Sequence, residues 1–213
     1  VPLGPENATI FYPGDDTYIG FEDVVPMVTE KGIVLTVEDL IKYYGNDQKV
    51  NLKVTDCKLV PYANQKVNIT LNGKTYVRTT NENGTASFAI NLGSGEYEII
   101  AEVNGTNATG KVTVLPTVNG TDIVKVFRNG TQYYATFLDS DGKYLADGSG
   151  VQFNINGVLY DRKVSGDKGL AKLNINLPQG EYVITAMNLV TGENGANNIT
   201  VIARIVENND LTK

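Results

Sequence analysis

The chain has 213 residues, a net charge of −6 at pH 7, 41% hydrophobic side chains, no histidine and a single cysteine, Cys57. That length and apolar content suffice for one large core or two small ones, while the acidic balance with scattered Lys and Arg excludes nucleic acid as a partner. Without histidine the commonest general base and transition-metal ligand are missing, and one cysteine forms no internal disulfide, so neither an enzyme nor a cofactor is expected.

No run of about 18 apolar residues exists to span a bilayer, so no membrane contact is expected of this stretch. The first residues show no leader pattern, which places any targeting information elsewhere. Thr and Val abound, tryptophan is absent, and the turn pairs Asn72-Gly73, Asn83-Gly84, Asp141-Gly142 and Asn156-Gly157 separate short alternating runs. Those features predict an all-β protein.

Residues 1–36 match neither of the later repeats, and the stretch 7–37, "NATIFYPGDDTYIGFEDVVPMVTEKGIVLTV", has alternating apolar positions and a Pro13-Gly14-Asp15-Asp16 turn. Two readings stand: the tail of a preceding module, or extra strands packed on the next. Similarity of "VLTVED" to the later "LPTVNGTD" favours the first.

From residue 37 the chain repeats itself, and the repeat governs the rest. "VNITLNGKTYVRTTNENGTASFAINLGSGEYEIIAEVNG" from Val67 aligns with "VQFNINGVLYDRKVSGDKGLAKLNINLPQGEYVITAMNL" from Val151, with one inserted residue near Gly166. Upstream, "DLIKYYGNDQKVNLKVTD" from Asp39 aligns with "DIVKVFRNGTQYYATFLD" from Asp122 without a gap. Alone, "TVEDLIKYYG" has the cap and stop of a short helix. Its counterpart "DIVKVF" is rich in β-branched residues, which suit a pleated sheet, so both are predicted strands.

Two modules follow, at 37–116 and 117–203. Strands are expected at 39–44, 49–56, 66–72, 74–80, 84–92, 96–103 and 108–115 in the first. In the second they fall at 122–127, 131–139, 150–156, 158–164, 169–177, 181–187 and 197–203. Seven short strands in such a length predict tandem immunoglobulin-like β-sandwiches without disulfides. Tyr97 and Tyr182, in the shared Gly-Glu-Tyr motif, fit the tyrosine corner of such sandwiches, with Ile99 and Ile184 where a cysteine would stand. Pro116 to Gly120 reads as a short linker between independent cores. Residues 204–213 read as a linker and the first strand of a third module, because Asp210 to Lys213 matches Asp39 to Lys42 and Asp122 to Lys125.

Motifs such as "NING.LY.R", "GLAKLNINL..GEY.ITA" and "TVNGTDIVK", across 37–213, resemble the tandem modules of adhesin-like surface proteins of methanogenic archaea. More distantly they are similar to bacterial immunoglobulin-like repeats. The resemblance implies an extracellular, cell-surface protein whose modules form a stalk or an adhesive surface. Its implied partners are neighbouring immunoglobulin-like modules of the same chain and a glycan or protein on another cell. It supplies no catalytic residue. The competing expectation is a glycan- or protein-binding module using apical loops or residues 1–36.

Several residues are candidate sites. Eight Asn-X-Thr sequons, at Asn7, Asn68, Asn83, Asn104, Asn107, Asn119, Asn129 and Asn198, are acceptors for glycosylation in a host that performs it, although Asn-Gly-Thr is also a good tight turn. Asp139, Asp141 and Asp147 surround a glycine in "LDSDGKYLAD", an oxygen-rich spacing compatible with calcium. It lacks the terminal Glu of a full calcium loop, so a hairpin turn is the better reading and no metal is expected. Lys42 and Lys125 occupy equivalent positions on an apolar strand face, where a buried amine is a candidate for an isopeptide cross-link. Asn198 in the second copy corresponds to Lys111 in the first, so no repeated acceptor appears. Tyr12, Tyr18, Tyr43, Tyr44, Tyr133 and Tyr134 are candidates for stacking on sugars, with strand packing the competing account.

Overall fold

The computed structural model describes residues 5–28 and 32–204, with side chains described over 8–25 and 32–204. The expected third-module start at Asp210 to Lys213 and the side chain of Asn7 lie outside the described residues. No helix occurs among the described residues.

A hairpin of β1 (Pro5–Gly14) and β2 (Ile19–Val28) comes first. Then follow β3 (Ile33–Val37), β4 (Leu40–Tyr43), β5 (Lys49–Asp56), β6 (Lys66–Leu71), β7 (Lys74–Thr79), β8 (Thr85–Ala89), β9 (Gly95–Val103) and β10 (Thr106–Leu115). The second series is β11 (Val118–Gly120), β12 (Ile123–Val126), β13 (Gln132–Phe137), β14 (Gly150–Ile155), β15 (Val158–Lys163), β16 (Leu170–Asn174), β17 (Gly180–Asn188) and β18 (Asn194–Ile202).

The repeat in sequence is a repeat in topology. A three-stranded sheet ordered β3-β5-β8 and a five-stranded sheet ordered β4-β10-β9-β6-β7 become β11-β13-β16 and β12-β18-β17-β14-β15 when eight is added to each label. Both copies are immunoglobulin-like β-sandwiches, and Cys57 is free and exposed. The strands unforeseen in sequence are β3 and β11. β3 straddles the expected boundary at residue 36 and pairs antiparallel with β5, Leu35 opposite Val54. β11 occupies most of the expected linker and pairs with β13, Val118 opposite Phe137. Pro116 and Thr117 alone therefore separate β10 from β11, and Thr117 is fully buried.

Period-two alternation sets which side chains go inward. In β5 Val50, Leu52 and Val54 are buried, and at the equivalent places in β13 Tyr133, Ala135 and Phe137 are buried. The exchange of Leu52 for Ala135 beside Val54 for Phe137 redistributes volume within one face, the kind of swap cores tolerate. Tyr133 and Phe137 both meet Phe153 edge-on, with ring centroids 5.7 and 6.0 Å apart. Ile99 and Ile184, at the disulfide position of the sandwich, are fully buried.

Contacts divide the chain into two compact units. The first comprises residues 1–38, 51–87 and 100–109. It includes the β1–β2 hairpin, a two-stranded sheet of its own in which Tyr12 faces Phe21 across the strands at 6.0 Å. The second comprises residues 39–50, 88–99 and 110–213. It holds the whole second sandwich around Tyr133, Phe153, Leu173, Ile184 and Ile199, together with β4 and the β8–β9 loop of the first repeat.

Candidate functional site: the junction between the repeats

Within the second unit, residues of both repeats meet around a buried carboxylate. In the first repeat β9 and β10 are joined by the tight turn Asn104-Gly105; in the second, β17 and β18 are joined by Leu189 to Glu193. Ile99 to Val112 spans two fewer residues than Ile184 to Ile199, so this loop is an insertion specific to the second copy. At its base Asn188 is fully buried where the first copy has buried Val103.

The inserted loop clasps the linker. Glu193, 5% exposed, accepts the Thr117 amide and, at 2.7 Å, the Thr117 hydroxyl on one carboxylate oxygen. Its other oxygen accepts the Ser94 hydroxyl from the first repeat's β8–β9 loop. Thr191 donates its hydroxyl to Thr117 Oγ1 (2.8 Å) and accepts the Glu193 amide, which gives the chain of hydroxyls one consistent proton order. Asn188 Nδ2 donates to the Leu138 carbonyl (2.7 Å) and the Thr117 carbonyl (3.3 Å), and its Oδ1 accepts the Val190 amide. Charge-assisted bonds of this kind offset the desolvation that burying a carboxylate costs.

A second contact lies beside it. Asn46 Nδ2 donates to the Ser140 carbonyl (2.9 Å) and to Asp141 Oδ1 (3.2 Å). The Tyr43 ring lies so close over Gly142 that a Cβ there would fall 2.1 Å from it. Gly142 thus serves close approach as well as its turn.

The opening Asp-x-x-Lys of each repeat has two structural tasks. Asp39 Oδ1 accepts the Lys111 amide (2.7 Å) and Asp122 Oδ1 the Asn198 amide (2.8 Å), tying β4 to β10 and β12 to β18. The Asn198 amide, then the side chains of Asn197 and Asn198, hold the Asp122 carboxyl below its ordinary value. Asn197 Oδ1 also accepts the Tyr133 hydroxyl at 2.7 Å, and burial, with the Asp122 charge added, pushes that phenol up to about 12. The strands so tied run parallel, β4 with β10 and β12 with β18.

Lys42 and Lys125 are buried, and their ammonium groups bond to main-chain carbonyls. Lys42 Nζ donates to Asn46 and, at 2.8 Å, to Ile90. Lys125 Nζ donates to Asn129 and Thr131 at 3.1 Å and to Ile175 at 2.6 Å. Ile90 and Ile175 directly follow the edge strands β8 and β16 of the opposite sheet, so each lysine bridges the two sheets of its sandwich. An isopeptide bond needs an Asn or Asp side chain at the amine, and the acceptors here are carbonyls of the backbone.

The acidic residues are held separately. Asp139 Oδ1 accepts the amides of Asp141 and Lys143, both at 2.9 Å, and Asp147 Oδ1 accepts the Gly166 amide at 2.9 Å. Asp56 makes the same turn in the first copy through Lys58 and Val60. Among the described residues no three His, Cys, Asp or Glu side chains converge on a metal-sized site. Tyr97 donates its hydroxyl to the Gly93 carbonyl (2.9 Å) and Tyr182 to the Pro178 carbonyl (3.1 Å), each four residues upstream. Asn68, Asn83, Asn104, Asn107, Asn119, Asn129 and Asn198 are all exposed. Of the tyrosines considered for sugar stacking, Tyr133 is fully buried and Tyr43 is engaged on Gly142, whereas Tyr134 is 46% exposed and Tyr44 half-buried.

No protein-family model and no curated protein matches the chain. Among solved structures it is similar to the I9–I11 tandem of titin over 86% of this chain and 70% of that one, at 14% identity and a TM-score of 0.39. Invasin, a bacterial integrin-binding protein, matches over 80% of this chain and 39% of its own, at 19% identity and a TM-score of 0.36. Adhesin InvE of Yersinia pseudotuberculosis matches over 79% and 58%, at 16% identity and a TM-score of 0.31. The fold described above stands on its own strand order and register.

Proposed function

We propose that the chain is a segment of an extracellular, adhesin-like cell-surface protein of the archaeal type, in which non-enzymatic immunoglobulin-like modules serve as stalk and adhesive surface. The observation that carries this reading is the clasp. A junction whose linker residue is fully buried, and whose insertion loop bonds to both repeats, suits modules that must hold their spacing under load rather than swivel. The parallel β4–β10 and β12–β18 pairs support the same role, since tension drawn between β4 and β10, or between β12 and β18, loads the hydrogen bonds of each pair together in shear. Seven exposed sequons support a glycosylated surface. The immediate partner of each module is its neighbour in the chain, and a glycan or protein of another cell is the outward one.

Antibody raised against the chain tests this on intact cells of the producing organism. Labelling of unpermeabilised cells is expected; labelling only after permeabilisation overturns the reading.

A further inference from the structure

A cavity of about 350 Å³ opens in the second unit where β4 ends, with Lys42, Tyr44, Asn46, Asn91, Gly93 and Thr191 in its walls. That volume falls in the range of small-ligand sites. Its floor carries a buried cation with capacity to spare. Lys42 is 5% exposed, and its ammonium has three N–H groups. Two engage the carbonyls of Asn46 and Ile90. Lys125, at the equivalent place in the second repeat, engages three carbonyls. Lys42 therefore keeps one N–H for an occupant of the cavity it lines.

The other differences between the copies point the same way. Tyr44 supplies a hydroxyl and a ring face where the second copy has Phe127, and Gly45 stands in place of Arg128. Gly93 stands in place of Pro178. Asn91, exposed at the rim, offers both a donor and an acceptor.

We propose that this cavity is a binding subsite for a neutral, hydroxyl-rich ligand the size of one sugar unit. A sugar hydroxyl accepts the remaining Lys42 N–H, the Asn91 carboxamide pairs with adjacent hydroxyls, and the Tyr44 ring covers an apolar face of the sugar. Charge selects the neutral class. Burial lowers the Lys42 pKa, with the Asp47 charge opposing it as the smaller effect. An anion entering here would lose its hydration in the same enclosed site, whereas a hydroxyl brings no charge to bury. Thr191 in the wall belongs to the clasp loop, so an occupied site touches both repeats. The subsite is independent of the stalk reading and gives a place to the binding role.

The test is a ¹⁵N–¹H NMR titration of the whole 213-residue chain with D-glucose, D-galactose, D-mannose and N-acetyl-D-glucosamine, and with D-glucuronate as the anionic counterpart. At least one neutral sugar is expected to shift the Asn91 side-chain amide and the Gly93 and Thr191 backbone amides saturably, in roughly the millimolar range. Tyr44→Ala, which removes the ring face, and Asn91→Ala, which removes the carboxamide, are each expected to weaken that affinity about five-fold, with signals elsewhere unmoved. Absence of saturable shifts, shifts centred on other residues, saturation by glucuronate alone, or unchanged affinity in both variants overturns the proposal.

Discussion

Glu193 and Ser94 lie 99 positions apart in the chain and in different repeats, yet the carboxylate of one accepts the hydroxyl of the other. The same carboxylate holds the amide and hydroxyl of Thr117. Replacing Glu193 by Ala strands a buried N–H and two hydroxyls, so Glu193→Ala is expected to cost about 2 kcal/mol in urea unfolding of the second sandwich. Glu193→Gln keeps an acceptor oxygen and is expected to lose less. An alanine variant as stable as the parent would show that the network contributes nothing.

Lys125 should be structurally necessary and chemically unmodified. Lys125→Met leaves three carbonyls short of a donor, with an expected loss of about 2 to 3 kcal/mol, while Lys125→Arg adds bulk at a buried position and is expected to destabilise as well. The intact mass of the chain from a bacterial host is expected to equal that of its sequence, close to 23.1 kDa. A mass lower by one ammonia would establish the cross-link instead.

Much of this was legible in the sequence, and the failures have definite causes. Alternation placed Lys42 and Lys125 on the buried face, because period two fixes which side of a strand a residue occupies. It did not supply their partners, since backbone carbonyls leave no mark in sequence. β11 reads as linker in sequence because "VNG" is three residues with a turn-forming end, and pairing with β13 overrides that local preference. The clasp leaves little mark in sequence, because a polar loop there looks like any surface connection. Two signals were present: the extra residues between Ile184 and Ile199, and Asn188 standing in register with Val103.

Leu59 and Gly142 occupy the same place in equivalent turns, and both have left-handed backbone, with φ of 64° and 79°. A leucine there is strained, and Leu59 is 73% exposed, so it gains little from packing in return. Leu59→Gly is expected to raise stability by about 0.5 to 1 kcal/mol, the relief of strain exceeding the added freedom of the unfolded chain. A shift of the urea midpoint to higher concentration checks it; a downward shift contradicts the equivalence of the two turns.

Asp122 gives the second sandwich a pH dependence whose sign is fixed. Its folded pKa is depressed from 3.8 by the bonds it accepts from Asn198 and Asn197. The stabilisation is therefore complete above the unfolded value and is lost as pH falls through the lower folded one. Asp122→Asn is expected to be less stable than the parent at neutral pH and to converge on it in acid. A gap between the two that stays constant down to pH about 2 would contradict the assignment.

The central claim is that the residue joining the repeats is locked by the clasp, and hydrogen exchange at the Thr117 amide tests it most directly. Bonded to the Glu193 carboxylate and fully buried, that amide is expected to exchange on the timescale of core amides such as Ile184, and to lose its protection in Glu193→Ala. Exchange of the Thr117 amide at the rate of an open linker in the parent chain would contradict the account.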